Sequence, residues 1–352
     1  MKKRITIYDI AKELDLSPST VSRVLGKSQR RVTPEIKQRV EDAAKRMNYY
    51  PNSLARNLKK NTNQTIGVIL PSIDNPFYPS IVRGMEDEAI KHNYTINICS
   101  CDREDVRTDK YLERLIGDRV SGIITIFVDN VPESLKNFIN RGGKVVSIGI
   151  KSELDDRIPT MYFDREEEAY TVTKHLIELG HKNIALFISK IDNKIREEKL
   201  RGYKKALKEF GIVYNKNNVF VDEKEKKVGT NDSIPDCNTG IFCANEMLKS
   251  KNKDITGIVC MNDLVALGAI SVLKNQGYSI PKDYSVIGFD DTFFSNLIEP
   301  EITTLKVNKY EVGQKSIQYL LEVLEDRDYA SKIDCSQDVN LILRKSTSKP
   351  RA

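Results

Sequence analysis

From Gln64 onward the chain keeps one rhythm, and few folds accept it. A short apolar run is followed by a stretch of helical period, and the pair repeats almost to the end. Ile66-Gly67-Val68-Ile69-Leu70-Pro71 reads as a buried strand ending in a loop. A helix over 78–92 follows, with Ile81, Met85, Ala89 and Ile90 as its inner face. Strands at 95–100, 122–127 and 144–149 alternate with helices at 109–118 and 132–141. The second half repeats the pattern, with strands at 184–188, 219–221, 257–261 and 284–289 and helices at 166–179, 197–210, 240–249 and 264–276. Such alternation predicts α/β architecture with doubly wound parallel sheets, here as two lobes dividing near Tyr162. The chain from Leu305, with a helix over 312–324, is expected to tie them together. The expected first lobe is 63–162 with 292–322, and the second is 163–291 with 323–346.

The first 50 residues have a different texture: helical periods only. Thr6 precedes an apolar-periodic run and Asp9 falls three residues later, a capping-box arrangement. Ile7, Ile10, Ala11 and Leu14 share one face, and the run breaks at Asp15. Ser17-Pro18 restarts it as cap and first helical residue. Val21, Val24 and Leu25 form the buried face, which leaves Ser19, Thr20, Ser22 and Arg23 outward. Two short helices joined by a tight turn make a helix-turn-helix, whose second helix fits the DNA major groove. A helical hairpin with a polar surface would show the same pattern. After a basic loop at 26–32, Thr33-Pro34-Glu35 starts a third helix, with Ile36, Val40, Ala43, Ala44 and Met47 closing a small all-α core. A domain of about 50 residues is marginal alone.

Charge separates the same two regions. Residues 1–62 hold 15 Lys and Arg against 6 Asp and Glu, while the remainder holds 41 against 44. A basic head on a mildly acidic body suits a polyanion-binding module. Residues 51–62 form a linker in which Pro51 stops the preceding helix and Asn52 can cap a short one over 53–59. Seven residues do not hold a helix in water unaided, so this segment needs a partner to fold.

Several classes are set aside. No apolar run reaches bilayer length, and no apolar stretch follows the charged N-terminus MKKRITIYDI, so neither a membrane span nor a signal peptide is expected. The six cysteines show no CxxC pair or zinc spacing, and buried free thiols in a reducing cytosol are expected. There is no P-loop, GxGxxG or GxSxG, and His92, His175 and His181 have no paired nucleophile, so no enzyme, metal or cofactor is expected. The last residues, 346–352, lack leucine heptads, and no tetramer-forming tail is expected.

Ile7-Tyr8-Asp9-Ile10-Ala11 followed by Ser17-Pro18-Ser19-Thr20-Val21-Ser22-Arg23-Val24-Leu25 resembles the opening of the lac repressor (LacI/GalR) family. Asp15 departs from the family's usual turn glycine. Asp tolerates a left-handed backbone, so the turn is expected to survive. Asn75-Pro76-Phe77-Tyr78, Gly180-His181-Lys182-Asn183-Ile184-Ala185, Leu200-Arg201-Gly202-Tyr203, Asn262-Asp263, Val286-Ile287-Gly288-Phe289-Asp290-Asp291 and Leu343-Arg344-Lys345-Ser346 extend the resemblance over nearly the whole chain.

The resemblance implies a cytoplasmic, homodimeric transcription regulator, more often repressor than activator, reading a near-palindromic operator in double-stranded DNA. Pro18, Ser19 and Arg23 match base-reading positions, with Arg23 suited to guanine. Tyr8, Ser17, Thr20 and Ser22 match phosphate contacts. Residues 51–62 are similar to the family's hinge helix. Asn52, Ala55, Arg56 and Lys59 would face the minor groove, and Leu58 would insert between base pairs.

The family's regulatory domain has the periplasmic-binding-protein fold with a small ligand between the lobes. The matching effector positions are Asn75, Phe77, Tyr78, Asp164, Lys199, Asn262 and Asp290, a set suited to a carbohydrate-like molecule. Asn262 could instead cap the following helix, and Asp290 could be a strand-end turn residue. Two departures weaken the sugar set: Lys199 stands where many members have Arg, and Gly149-Ile150 where many have Asp-Arg. The run Lys199-Leu200-Arg201-Gly202-Tyr203-Lys204 resembles the catabolite control branch, which implies a phosphorylated carrier protein as an alternative co-regulator. A solute-binding sensor with the same lobes is the remaining alternative. The basic head speaks against it.

Overall fold

The computed structural model describes residues 5–26, 32–49, 63–102, 104–126, 132–149, 158–224, 234–250, 252, 254–325 and 340–351. The chain divides into two compact units, Met1–Gln64 and Thr65–Ala352. In the first, α1 (Ile7–Leu14), α2 (Pro18–Leu25) and α3 (Pro34–Arg46) close around Ile10, Ala11, Val21, Val24, Val40, Ala43 and Ala44. The helix ends are where the caps predict. Thr6 Oγ1 accepts from Asp9 N while Asp9 Oδ2 accepts from Thr6 N at 2.8 Å, and Ser17 Oγ accepts from Thr20 N at 3.1 Å. Asp15 adopts φ 53° and ψ 47°, and it ends α1 as the expected left-handed cap. Arg46 pairs with Glu13, and Arg39 reaches the Leu14 carbonyl, so α3 holds the end of α1.

The second unit carries two parallel sheets. The first has the order β2-β1-β3-β4-β5: β1 (Thr65–Leu70), β2 (Thr95–Ser100), β3 (Gly122–Ile126), β4 (Lys144–Gly149) and β5 (Thr160–Tyr162). Its helices are α4 (Phe77–Lys91), α5 (Asp105–Gly117) and α6 (Glu133–Asn140). The second has the order β7-β6-β8-β9: β6 (Ile184–Ser189), β7 (Val219–Asp222), β8 (Gly257–Cys260) and β9 (Ser285–Ile287). It is flanked by α7 (Arg165–Glu178), α8 (Lys194–Glu209), α9 (Pro235–Lys249) and α10 (Asp263–Asn275). Every residue of β3, β6 and β8 is buried, as expected of strands covered on both faces.

The lobe boundary corrects one expectation. Residues 292–306, expected in the first lobe, belong to the second. Gly288 N donates to Thr303 O at 3.0 Å and Asp290 N to Leu305 O at 2.9 Å, and β10 (Thr304–Lys306) pairs antiparallel with β11 (Asn340–Ile342). Ile302 and Leu305 pack in the second core, whereas Val307 and Val312 pack in the first. The chain therefore returns to the first lobe at α11 (Lys309–Leu324). That helix lies against α4 at glycine contacts: a Cβ on Gly84 would sit 2.0 Å from Tyr310 O, and one on Gly313 2.0 Å from Ile81 O.

Other bounds moved for local reasons. Helix α8 starts at Lys194, ahead of the expected 197, because Asn193 caps it by accepting from Arg196 N. Helix α9 starts at Pro235, not 240, and α5 at Asp105, not 109. Strand β9 ends at Ile287, short of 289, and beyond it Asp290 and Asp291 take φ of 98° and 46°. Phe127, Ile150 and Cys335 lie outside the described residues.

Candidate functional site

Two places collect the residues singled out above, one in each unit. On the helical unit, α2 turns Val21 and Val24 inward and leaves Ser17, Ser19 and Arg23 exposed. Pro18, Thr20 and Ser22 are half-buried on its flank. Ser17 Oγ lies 2.8 Å from both Ser19 Oγ and Thr20 Oγ1, and Arg23 Nε donates to Ser19 O at 3.2 Å. The start of the helix thus presents hydroxyls, and its far turn presents an exposed guanidinium. Tyr8, 67% exposed on α1, adds an apolar ring with a polar tip. Asn52, Ala55, Arg56, Leu58 and Lys59 lie outside the described residues.

The second place is the seam where the carboxyl ends of the two sheets meet. Asn75 follows β1 and caps the turn into α4, its Oδ1 accepting from Phe77 N at 2.9 Å. Asn262 follows β8 and caps α10, its Oδ1 accepting from Val265 N at 2.9 Å. Both amides donate to one oxygen, Oδ2 of Asp236, at 2.9 Å from Asn75 and 3.1 Å from Asn262. Asp236 was not anticipated, because the helix carrying it was expected to begin later. Pro235 with an acid beside it was the available signal.

Lys199 is buried on α8, donates to Met261 O at 2.5 Å and stands 3.6 Å from the centroid of Phe289. Burial, and then the neighbouring Arg165 charge, push its ammonium down to about 8. Asp290 is buried, and burial raises its carboxyl although Lys199, Arg165 and Lys309 oppose the shift. Lys309 Nζ donates to the carbonyls of Asp290 and Asp291. Asp263 accepts from Thr292 N, Thr292 Oγ1, Ser295 Oγ and Thr304 Oγ1. Burial and the nearby Asp290 nevertheless push Asp263 up to about 7.

Three expected effector positions sit differently. Phe77 and Tyr78 are buried in the first-lobe core. The Phe77 ring centroid is 6.3 Å from that of Phe163, with the Arg165 guanidinium 5.9 Å away, so the ring braces the lobe junction. Asp164 is exposed and caps α7, accepting from Glu167 N at 2.8 Å. It lines a cleft of about 420 Å³ with Tyr162, Phe163, Glu198 and Arg201, whereas Lys199 does not line that cleft. Arg165 and Glu168 were also missed. They form a fully buried pair at 2.8 Å, beside Phe163. No periodic signal marks them, because a charge on a helix normally reads as solvent-facing.

His181 lies 2.8 Å from Thr256 Oγ1 and 3.0 Å from Ser348 O, His175 lies 3.3 Å from Thr347 Oγ1, and His92 is exposed with its Nε2 3.5 Å from Glu88 Oε1. Among the described residues no group of His, Cys, Asp and Glu could hold a metal ion, and no helix is long and apolar enough to cross a membrane.

Comparison with known proteins gives the same two-part division. Residues 6–52 match the family described as bacterial regulatory proteins, lacI family. Residues 63–342 match the periplasmic binding proteins and sugar binding domain of LacI family. The HTH-type transcriptional repressor PurR of Mannheimia succiniciproducens is 30% identical over 98% of this chain and 99% of its own. The HTH-type transcriptional regulator RegA of Clostridium saccharobutylicum is 33% identical over 92% and 93%. The transcription regulator CcpA of Lactococcus lactis has a similar structure, with a TM-score of 0.69 and 26% identity over 81% of this chain and 99% of that one. The lac repressor dimer bound to operator and the anti-inducer ONPF shares the fold at a TM-score of 0.81 and 24% identity, over 98% and 100%. The chain belongs to the LacI family of bacterial regulatory proteins and is a DNA-binding transcription regulator, not an enzyme.

Proposed function

We propose that this regulator is a cytoplasmic homodimeric repressor whose operator affinity is set by a small, carbohydrate-like molecule held between the lobes. The observation that carries the reading is the polar seam of Asn75, Asp236 and Asn262, buried where the carboxyl ends of both sheets meet. In paired parallel sheets that is where ligands bind. Amides and a carboxylate together accept from and donate to hydroxyls. On the DNA side, Arg23 and Ser19 read base edges and Pro18 packs against them, while Tyr8, Ser17, Thr20 and Ser22 hold phosphates. Asn52, Ala55, Arg56, Leu58 and Lys59 are the contacts to the minor groove in this reading. Two heads per dimer call for a near-palindromic site. Moving the population from 1:99 to 99:1 requires the effector to discriminate between states by ~5.5 kcal/mol.

A second reading keeps the DNA function and replaces the small effector with a phosphorylated carrier protein. The engagement of Lys199 with Met261 O and Phe289, instead of an open cleft, favours it.

The test is operator binding by fluorescence anisotropy on a palindromic library at fixed salt, since phosphate contacts make affinity salt-dependent. It is run with and without sugars, sugar phosphates and nucleobases. Selective binding that one sugar shifts severalfold supports the first reading. A shift only with a nucleobase replaces the ligand class. Selective binding that no compound moves transfers the case to the carrier protein, and no sequence selection overturns both.

A further inference from the structure

We propose that Asp236 is an interlobe latch: its carboxylate ties the two lobes together across the cleft, and the effector acts by inserting between Asn75 and Asp236. The effector half of this rests on the reading above; the latch itself does not. Asp236 stands in the first turn of α9, in the second lobe, and is 3% exposed. Its Oδ2 receives one hydrogen from each lobe, from Asn75 Nδ2 at 2.9 Å and from Asn262 Nδ2 at 3.1 Å. Neither amide can turn away cheaply. The Oδ1 of each already accepts from the first turn of a helix, Phe77 N for Asn75 and Val265 N for Asn262, so each Nδ2 is aimed by its own cap.

Hydrogen bonds to a carboxylate are the stronger kind, and burial removes the water that would compete for them. Two further links between the lobes sit beside chain crossings: Phe77 with Phe163, next to α7, and Lys309 with Asp290, next to the return at Val307. Asn75 and Asp236 are 161 residues apart and adjoin neither of those crossings in sequence.

The latch also restricts what can open it. A molecule entering between Asn75 and Asp236 must offer an acceptor to the amides and a donor to the carboxylate. A vicinal pair of hydroxyls does both. A phosphate or carboxylate would face Asp236 as a like charge.

The experiment is hydrogen exchange on the full-length, effector-free protein, comparing wild type with Asp236→Ala, Asp236→Asn and Asn75→Ala. Losing a charge-assisted bond should make the amides of Phe77 and Val265 exchange about tenfold faster in Asp236→Ala. Strands β1 and β6 should keep their protection. Asn75→Ala, a change in the first lobe, should speed Val265 in the second. The radius of gyration from X-ray scattering should rise in both variants. If Asp236→Ala loses protection in β6, the fold has suffered, and Asp236→Asn, which keeps the volume without the charge, must give an intermediate acceleration. Faster exchange at Val265 alone would reduce Asp236 to a bond within its own lobe and overturn the latch, as would wild-type rates at both sites. Exchange as expected in a protein that no sugar affects would retain the latch and remove the sugar reading.

Discussion

The helical head and the interlobe seam handle polar chemistry in opposite ways. The head buries seven small or branched apolar side chains and sends its polar groups outward, so Ser17, Ser19 and Arg23 are exposed and bonded to near neighbours. The seam buries its charges: Arg165, Glu168, Lys199, Asp236, Asp263 and Asp290 are all removed from water. An outward-facing site suits a partner that brings its own charge, as DNA does. A buried site already crossed by hydrogen bonds, such as those from Asn75 and Asn262 to Asp236, suits a switch, because anything that enters must break them. The two should therefore fail differently when mutated.

The largest effect is expected at the seam. Arg165→Ala leaves Glu168 buried without its partner and should cost about 3–5 kcal/mol of unfolding free energy in denaturant. Replacing both residues with apolar ones of similar size should recover most of it. If Arg165→Ala alone costs under about 1 kcal/mol, the pair behaves like a surface ion pair and the contrast with the head collapses. Next is Ile10→Ala in the head, a loss of about 2–5 kcal/mol from a core too small to absorb it. Operator binding should vanish while the α/β transition keeps its midpoint, as calorimetry would show.

Smaller changes sharpen the comparison. Arg23→Ala should cost about 1–3 kcal/mol of operator binding and relax specificity, with no change in thermal stability. Equal binding of operator and scrambled DNA by wild type and variant would remove α2 from the reading role. Asp15→Gly relieves a left-handed non-glycine residue and should stabilise the head by about 0.5–1 kcal/mol, seen as a raised midpoint of its own transition.

The subtlest effect is a pH slope. Burial holds His181 and His175 below the ordinary histidine value, so the folded state resists their protonation. Their contribution is complete above the unfolded value near 6.5 and is lost as pH falls through the lower folded values. Comparing melting temperatures at pH 7.5 and 5.5, wild type should lose more on acidification than His181→Gln. An equal loss would mean that this imidazole charges without cost.

Legibility followed the same division. In the head, Thr6, Asp9, Ser17 and Thr33 act through neighbours three residues away and Pro18 through its own fixed backbone angle, so the caps and helix starts were readable and the structure bears them out. Even the left-handed Asp15 was foreseeable from its chemistry. In the α/β unit the alternation announced both sheets. It did not reveal that residues 292–306 stay with the second lobe, since the bonds that hold them, Thr292, Ser295 and Thr304 to Asp263, span 29 to 41 residues.

Periods and caps that act over a few residues were enough for the two-part plan, the helix-turn-helix and the parallel lobes. That Phe77 and Tyr78 belong to a core, that Asp164 is a helix cap and that Asp236 joins Asn75 to Asn262 emerged from packing alone. A side chain's role at a seam depends on what the other lobe places opposite it, and no local pattern records a partner 161 residues away.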